Sequence, residues 1–291
     1  MTDLLENDKL GTEPEDEQAV AQPSALYPII EHNDLIRNVR YTVYRKNRGT
    51  MLSVNEQRVW YYLLSLLKPD ELPTALVFEI SEFCKAAGIP DTQNNRYERV
   101  RDALESLMKK VIWLKDEQTG DWISLRYIAN THIRVRSGTV LVYLDQNMEK
   151  YTTGLDGNFT KTYPQNLLPM RTKYGGPLYR LLKSYAYRTD YQIFDLQVLQ
   201  ERLDATNYKP TDFRRRVLEP AVEDINTFCS DLKISFEIHW GRGGKKSTVC
   251  FAIKDLEHSS EEEDIEESHA RSERSEAALN PYKGQQMTIW D

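Results

Sequence analysis

The sequence lacks the patterns of membrane-spanning, disulfide-bonded and metal-dependent proteins. Its 291 residues contain no run near the roughly 18 uninterrupted apolar residues that a membrane helix needs. The three cysteines, Cys84, Cys229 and Cys250, are scattered through apolar surroundings without CxxC spacing, which favours reduced thiols over a disulfide framework or zinc site. The five histidines show no HxH or HExxH spacing, so neither a zinc hydrolase nor a metal-dependent nicking enzyme is indicated. We therefore expect no metal and no cofactor.

Two further features do not amount to catalytic motifs. The segment from Gly243 to Thr248 looks somewhat like a phosphate-binding loop, but His239 stands where the first glycine is required, and two strands flank the segment. The 17 tyrosines include none beside an evident metal site or base that would make it a nucleophile. We predict that the protein is not an enzyme. The acidic N-terminus resembles neither a secretory signal nor a transit peptide, so we expect a cytoplasmic location.

Charge is distributed unevenly along the chain. The formal net charge is −7, yet residues 1–31 carry eight acidic and one basic residue, and residues 255–291 carry eleven and three. The body at residues 32–254 therefore has a net charge of +8, of which +3 lies in residues 32–170 and +5 in residues 171–254. A basic body is typical of proteins that contact phosphates, although a basic surface without a partner is the alternative.

The composition predicts two folded domains between disordered acidic tails. Residues 1–31 and 255–291 contain runs of acids and few apolar residues, so we predict that both are disordered. Between the tails lie two segments with the same order of elements, joined around residues 155–163. This gives a first domain at residues 32–154 and a second at residues 155–254.

In the first segment, three predicted helices precede the strands. A capping box formed by Ser53 and Glu56 predicts the start of the first helix. The second helix, from Ser81 to Ala87, is expected to end at Gly88. The remaining predicted elements are a helix over about residues 94–110 and strands over residues 111–115, 122–128 and 139–144.

The second segment repeats this plan. Its predicted elements are a helix over residues 173–187, a short strand at 192–194, a helix at 196–203 capped by Asp195, a long helix from about 210 to 228, and strands at 233–240 and 248–253. Three helices followed by a β-hairpin is the order of a winged helix, which is a helix-turn-helix with an added wing. The repeated order predicts an α+β protein with two winged-helix domains.

The long helix after residue 210 carries the strongest candidate for sequence recognition. Its apolar residues share one face, which is predicted to face the core: Phe213, Val217, Ala221, Ile225 and Phe228. Arg215 and Arg216 fall on the opposite side near the helix start, and Lys209 reaches the same region, whereas Arg214 is expected nearer the core edge. Arginine suits base reading because its planar fork can bond guanine O6 and N7 together. We predict that Lys209, Arg215 and Arg216 read bases in the major groove.

The sequence leaves two points open on this helix. The arginines could instead form a solvated charged face that pairs with Asp212 and Glu219. Pro220 must either kink or interrupt the helix, and the sequence does not distinguish the two.

Other cations are candidates for contact with the DNA backbone. The turn from Gly241 to Lys246 supplies cations on a glycine-rich tip that can lie along the backbone or enter the minor groove. We expect backbone contacts from Arg214 and from the wing and first-domain cations Arg242, Lys245, Lys246, Arg96, Arg99, Arg101, Arg134 and Arg136. Because the second segment is the more basic, we assign base reading to it, and phosphate contact with self-association to the first.

Three motifs resemble the iteron-binding plasmid replication initiators. They are the stretch YRLLKSY at 179–185, the stretch DFRRRVLEPAVEDIN at 212–226, and Gly241-Arg242. The family pattern combines an aromatic residue, a basic cluster, an apolar run and a final acidic-Ile-Asn, and it is quite specific. The likeness covers most of residues 32–254 and is strongest from 167 to 253.

This resemblance implies two winged-helix domains with divided roles. It implies that the second domain reads repeated DNA sites called iterons, and that the first adds backbone contacts and supports dimerisation. It further implies that monomers bind iterons and open nearby DNA, and that dimers repress their own gene. Host initiator and replicative helicase are the partners it implies, and Arg215 and Arg216, helped by Lys209, are the base readers.

The last residues form a separate candidate motif. Gln286, Met287, Thr288, Ile289 and Trp290 resemble the short peptide by which bacterial proteins bind the replicative sliding clamp. An unstructured tether would present these apolar anchors to a hydrophobic pocket. Met, Ile and Trp replace the commoner Leu, Leu and Phe, and a chance apolar end is the alternative.

Two other functions compete with a replication initiator. A winged-helix transcriptional repressor would share the DNA-binding surface but would not need a clamp-binding peptide. A rolling-circle initiator would need a nucleophilic tyrosine with a histidine-bound metal, and the histidine spacing does not provide that site.

Overall fold

The computed structural model describes residues 26–39, 42–44, 47–48, 51–68, 73, 75–90, 95–115, 119–241 and 246–257. Up to residue 152 the elements are β1 (Ile29–His32), α1 (Asn33–Arg37), β2 (Thr42–Tyr44), β3 (Asn47–Arg48), α2 (Val54–Ser65), β4 (Leu76–Glu79), α3 (Ile80–Ala86), α4 (Arg96–Lys109), β5 (Val111–Lys115), β6 (Trp122–Arg126), β7 (Ile128–Arg134), β8 (Thr139–Leu144), a 3₁₀ turn (Gln146–Met148) and α5 (Glu149–Thr152).

The remaining described elements form the second half of the fold. They are β9 (Phe159–Thr162), α6 (Pro164–Leu167), α7 (Gly175–Ala186), β10 (Tyr191–Asp195), α8 (Leu196–Arg202), α9 (Pro210–Phe213), a π-helical segment (Arg214–Leu218), α10 (Glu219–Phe228), β11 (Leu232–His239) and β12 (Thr248–Asp255). No helix among the described residues is long and apolar enough to cross a membrane.

Two units of the fold share one plan. In each unit a helix is followed by a strand, a second helix, a third helix and a hairpin: α2, β4, α3, α4 and β7–β8 in the first, and α7, β10, α8, α9–α10 and β11–β12 in the second. The two sheets have corresponding strand orders, β4-β8-β7 and β10-β12-β11. This order confirms the predicted pair of winged helices. The first unit also carries an extra hairpin, β5–β6, between its third helix and its wing.

The duplication extends to single hydrogen bonds. At the end of the first strand in each unit, the next helix begins beside the turn of the wing. The amide of Ile80 donates to the Gly138 carbonyl at 3.0 Å, and the amide of Leu196 donates to the Ser247 carbonyl at 2.9 Å. Both bonds tie the start of the second helix to the wing, so the wing and the helix-turn-helix form one body in each unit.

Local sequence signals fix several of these boundaries. The Ser53 hydroxyl accepts from the Glu56 amide, while the Glu56 carboxylate accepts from the Ser53 amide, so the predicted capping box is confirmed. Asp195 caps α8, as predicted, by accepting from the amides of Gln197 and Val198. Gly138 has a φ of +70°, which a residue with a side chain rarely adopts, and it closes the predicted turn between β7 and β8.

The structure corrects the predicted strand over residues 122–128. Two strands occupy this region: β6 ends before Tyr127, and β7 begins after it. β6 pairs with β5, whereas β7 pairs with β8 in a different sheet. The prediction was wrong because both strands continue the same apolar pattern across the break.

The structure also corrects three predictions at the segment ends. Residues 29–31 were predicted to lie in the disordered tail, but they belong to β1, with Ile29 fully buried. Residues 155–163 were predicted to be a connection, yet they contain β9, which pairs antiparallel with β1. Residues 255–257, predicted to start the C-terminal tail, end β12 and begin a helical turn. The tails and the boundary at residue 154 otherwise stay predictions.

Candidate DNA-binding surface

The third helix of the second unit runs from Pro210 to Phe228 without a break. Phe213, Val217, Ala221 and Ile225 are fully buried at intervals of four residues. In an ideal α-helix, four residues turn through about 400°, so this spacing drifts about 40° per step away from the core. The wider π-helical segment reduces that drift and keeps the four side chains on the core side. The predicted core face is confirmed for these residues.

Pro220 neither breaks nor ends the helix. The amide of Glu219 donates to the carbonyl of Arg214, five residues back, which is the π-helical pattern. Pro220 has no amide hydrogen and follows directly after this segment. The helix therefore accommodates the proline by a local widening of its hydrogen-bond register.

Three consecutive arginines lie in the N-terminal half of this helix, with their side chains exposed to solvent. The side chains of Arg214, Arg215 and Arg216 are 56%, 67% and 58% exposed. Arg214 was predicted to lie nearer the core edge, and that prediction was wrong, because the wider turn leaves it about as exposed as the other two. All three guanidinium groups are accessible to a ligand that lies beside the N-terminal half of the helix.

Each of these arginines faces a carboxylate. Arg214 Nε lies 3.0 Å from Glu219 Oε1, and Arg215 Nη2 lies 3.2 Å from Asp212 Oδ1. Arg216 Nε approaches the same Asp212 oxygen at 3.6 Å. Exposed ion pairs of this kind contribute only about 0–1 kcal/mol, so a phosphate or a base can displace them.

Lys209 and the start of the helix lie beside the arginines in sequence. Lys209 is the exposed N-cap residue, and Pro210 occupies the first helical position. Proline is favourable there because its fixed φ suits the first turn and its missing amide hydrogen costs nothing. The predicted base-reading residues therefore occupy the N-cap and the two turns that follow it.

The wing of the second unit is attached to the start of α8. Lys246 Nζ lies 3.3 Å from Asp195 Oδ2, and the side chain of Lys246 is 81% exposed. Burial would raise the pKa of Asp195, but hydrogen bonds from the Val198 and Gln197 amides and the charge of Lys246 hold that pKa below its usual value. Arg242 and Lys245 lie outside the described residues.

The first unit carries its own cations on its third helix and on its wing. Arg96, Arg99 and Arg101 lie on α4, which occupies the position that the arginine-bearing helix has in the second unit. Arg134 and Arg136 are exposed at the turn between β7 and β8.

The wing turn and α4 also touch each other. The hydroxyl of Tyr97, in the first turn of α4, lies so close to Gly138 that an added Cβ would be 2.9 Å away. The helix and the wing turn that carry the predicted cations are thus in contact in the first unit.

Sequence reasoning missed the role of Asp195 at the wing. It identified Asp195 as a helix cap, but the contact with Lys246 depends on the register in which Asp195 pairs with Thr248, 53 positions later. It placed Trp240 at the end of a strand and gave it no functional role. Trp240 is 45% exposed and follows β11 at the base of the wing. In the sequence, a tryptophan among polar residues beside the predicted wing would have indicated this exposed position.

The fold and its exposed cations define a tandem winged-helix protein of the helix-turn-helix class. Residues 28–183 match the family model described as initiator replication protein, WH1, and residues 195–254 match that described as initiator Rep protein, WH2. The first match alone spans more than half of the chain. The chain therefore belongs to the family of initiator replication proteins.

One of two similar solved structures supports the same fold. The crystal structure of Pi initiator protein in complex with iteron DNA matches with a TM-score of 0.63 and 21% identity, covering 80% of this chain and 100% of that one. The WH1 domain of MSBI1.176, a replication protein isolated from a multiple sclerosis patient, has a TM-score of 0.28 and 16% identity, over 33% and 75% of the two chains. No curated protein sequence matches this chain significantly.

Proposed function

We propose that this initiator binds iterons in duplex DNA through the N-terminal half of the helix that starts at Pro210. The observation that carries the proposal is the exposure of Arg214, Arg215 and Arg216 on a helix whose opposite face is fully buried. A rigid helix with a cationic front fits the major groove, where an arginine fork can bond guanine O6 and N7. In this proposal Lys209, Arg215 and Arg216 read bases.

The remaining cations position the protein on the backbone. Lys246 and its neighbours in the wing, together with Arg214, would contact phosphates of the same site. The cations of α4 and of the β7–β8 turn would contact phosphates from the first unit. Phosphate contacts release counterions, so affinity should fall steeply with salt. The alanine variant of Lys246 should weaken binding to all sequences alike.

Selection of binding sites tests the proposal. The full-length protein is incubated with a pool of random duplex DNA, and the bound fraction is sequenced after several rounds. We expect one enriched motif, and we expect it to recur in tandem beside the gene at a spacing of about two helical turns. Binding without enrichment of any motif would contradict base reading.

Association of the protein with itself belongs to the same proposal. Monomers would occupy the iterons and promote opening of the origin, whereas dimers formed through the first domain, residues 32–154, would repress the gene. Sedimentation of the protein with and without an iteron duplex measures this balance. A dimer that binds a single iteron without dissociating would contradict the assignment.

The C-terminal peptide would recruit the replicative sliding clamp, alongside contacts with the host initiator and helicase. Residues 286–291 lie outside the described residues, so the proposal rests on the sequence of the peptide. Deletion of these six residues should abolish capture of the clamp in a pulldown while leaving iteron binding intact. Undiminished capture would end this part of the proposal.

Initiation by this protein would involve no cleavage of DNA by the protein itself, and it would take place in the bacterial cytoplasm. Incubation with supercoiled plasmid and Mg²⁺ should leave the plasmid supercoiled. A covalent adduct between a tyrosine and DNA would identify a nicking enzyme instead.

A further inference from the structure

In two of the three ion pairs, the carboxylate contacts the arginine at Nε. Glu219 engages Arg214 through Nε, at 3.0 Å, and Asp212 approaches Arg216 through Nε, at 3.6 Å. A guanidinium group has five N–H donors, and four of them belong to the two terminal amino groups. An arginine held at Nε therefore keeps both terminal amino groups available. Those two groups form the end-on fork that can bond guanine O6 and N7 together.

A phosphate is repelled by these carboxylates more strongly than a guanine is. It carries a full negative charge, so a carboxylate beside the arginine repels it, and the attraction of the arginine is partly cancelled. A guanine edge carries only partial negative charge, so the same carboxylate repels it much less. The carboxylate therefore weakens contacts with the sequence-independent backbone more than contacts with a guanine.

We propose that Asp212 and Glu219 determine specificity, because they leave the forks of Arg216 and Arg214 free for guanine while they oppose contact with phosphate. This inference rests on the proposed binding of iteron DNA, and for Arg214 it replaces the phosphate contact proposed above with a contact to guanine. Asp212 also accepts from Nη2 of Arg215, at 3.2 Å, so there it occupies one terminal amino group, which Arg215 must release when it binds a base. The two acids thus belong to the recognition surface although neither is a cation.

The chain offers two matched comparisons. Asp195 pairs with Lys246, a wing cation that the proposed function assigns to phosphate contact, so this pair should affect all DNA sequences alike. Glu223 is exposed on the same helix as Glu219, and the ion pairs described for the structure do not include it. Glu223→Gln therefore removes one negative charge without breaking an ion pair of the described residues.

The experiment measures dissociation constants of the full-length protein for a duplex with the selected motif and for a shuffled duplex, over a series of salt concentrations. The variants are Asp212→Asn, Glu219→Gln, Asp195→Asn and Glu223→Gln. Asparagine keeps the capping ability of Asp195, because Asn and Asp are comparable N-cap residues. Thermal unfolding confirms that each variant is folded.

We expect Asp212→Asn and Glu219→Gln each to raise affinity for shuffled DNA by about two- to fivefold, the range that corresponds to one exposed ion pair. Affinity for the motif should change less than twofold, so the ratio between the two duplexes should fall. The salt slope on shuffled DNA should steepen by about one, because a further phosphate is contacted. Asp195→Asn should raise both affinities equally, and Glu223→Gln should change neither by twofold.

Two results would overturn the inference. One is an equal gain on both duplexes for Asp212→Asn and Glu219→Gln, and the other is a gain for Glu223→Gln as large as theirs, which would make total charge the cause. Loss of affinity for the motif alone would also contradict it, since Asp212 would then contact the DNA itself. Wild-type protein that does not distinguish the two duplexes would instead refute the proposed function.

Discussion

At the scale of single residues, the chemistry of the arginine side chain distinguishes base reading from simple charge attraction. Arg216 is 58% exposed and lies on a helix that is anchored by fully buried residues on its other face. The backbone at Arg216 is therefore packed against the core, while its guanidinium group is accessible. Lysine at the same position would keep the charge but would lose the planar fork.

Arg216→Lys therefore separates the two contributions. We expect a loss of about 1–3 kcal/mol in binding to the selected motif, the usual value of a good bidentate contact with a base, and little change on shuffled DNA. Fluorescence anisotropy with both duplexes at one salt concentration measures the difference. Full retention of affinity for the motif would mean that Arg216 contributes only charge.

At the scale of elements, the acidic-Ile-Asn pattern in α10 has a structural explanation. Asp224 is buried, and its Oδ2 accepts from the amides of Arg171 and Thr172 at 3.0 and 2.7 Å, which fixes the segment before α7. Asn226 holds the start of β11, since its side chain accepts from the amide of Ile234 at 2.9 Å and donates to the carbonyl of Ile234 at 2.8 Å. These two residues hold the recognition helix against its neighbours.

Asn226→Ala should destabilise the protein without altering the DNA-contacting surface. Two hydrogen bonds to the backbone of Ile234 are lost, and at about 1 kcal/mol for each bond we expect a decrease of about 2 kcal/mol in the free energy of unfolding. Urea denaturation measures this decrease. Asn226→Asp, which keeps only the accepting oxygen, serves as an intermediate control, and a change below 0.5 kcal/mol in the alanine variant, within the roughly ±0.5 kcal/mol of ordinary surface substitutions, would contradict the assigned role.

At the scale of the whole molecule, a buried ion pair connects the N-terminal strand to the second unit. Arg180 on α7 donates from Nε to Glu31 Oε2 at 2.7 Å and from Nη2 to Glu31 Oε1 at 2.5 Å. Glu31 is only 1% exposed. The guanidinium group also lies over the ring of Tyr61 on α2, 5.4 Å from its centroid. One arginine thus joins β1, the first unit and the second unit.

Removal of Arg180 should be costly for this reason. Arg180→Met leaves the carboxylate of Glu31 buried without its partner, and we expect a loss of about 3–5 kcal/mol in the free energy of unfolding. The double variant with Glu31→Gln should recover part of the loss, because no charge is then buried alone. Chemical denaturation of both variants measures the effect, and equal stabilities of the single and double variants would contradict it.

Stability should also depend on pH through two paired carboxylates. Burial would raise the pKa of Glu56 and of Glu257, but hydrogen bonds from Lys110 to Glu56 and from Tyr163 and Lys183 to Glu257 hold both below the usual value of 4.5. A lowered pKa in the folded state means that the stabilisation is complete above about pH 4.5 and is lost as pH falls further.

A series of urea denaturations from pH 7 to pH 3 measures this dependence. We expect the midpoint to decline as pH falls below about 4.5. Glu56→Gln should show a shallower decline, because one of the two groups no longer titrates. An unchanged profile in that variant would exclude Glu56 as a contributor.

Much of this architecture could be predicted from local signals, and the failures have a common cause. The capping box at Ser53, the cap at Asp195 and the turn at Gly138 depend on neighbouring residues, so the sequence predicts them correctly. β1 and β9 pair across about 130 positions, and their few residues show no pattern of their own. The π-helical segment follows from how the core residues pack, so the exposure of Arg214 was not predictable from a regular helical period.

The most direct test of base reading is the comparison of Arg215→Ala with wild type on two duplexes in the same buffer. One duplex carries the selected motif, and the other carries the same bases in shuffled order. We expect a loss of about 1–3 kcal/mol on the motif, with relaxed preference at one base pair and little loss on the shuffled duplex. Equal losses on both duplexes would show that Arg215 contacts only the backbone, and would contradict recognition of bases by this helix.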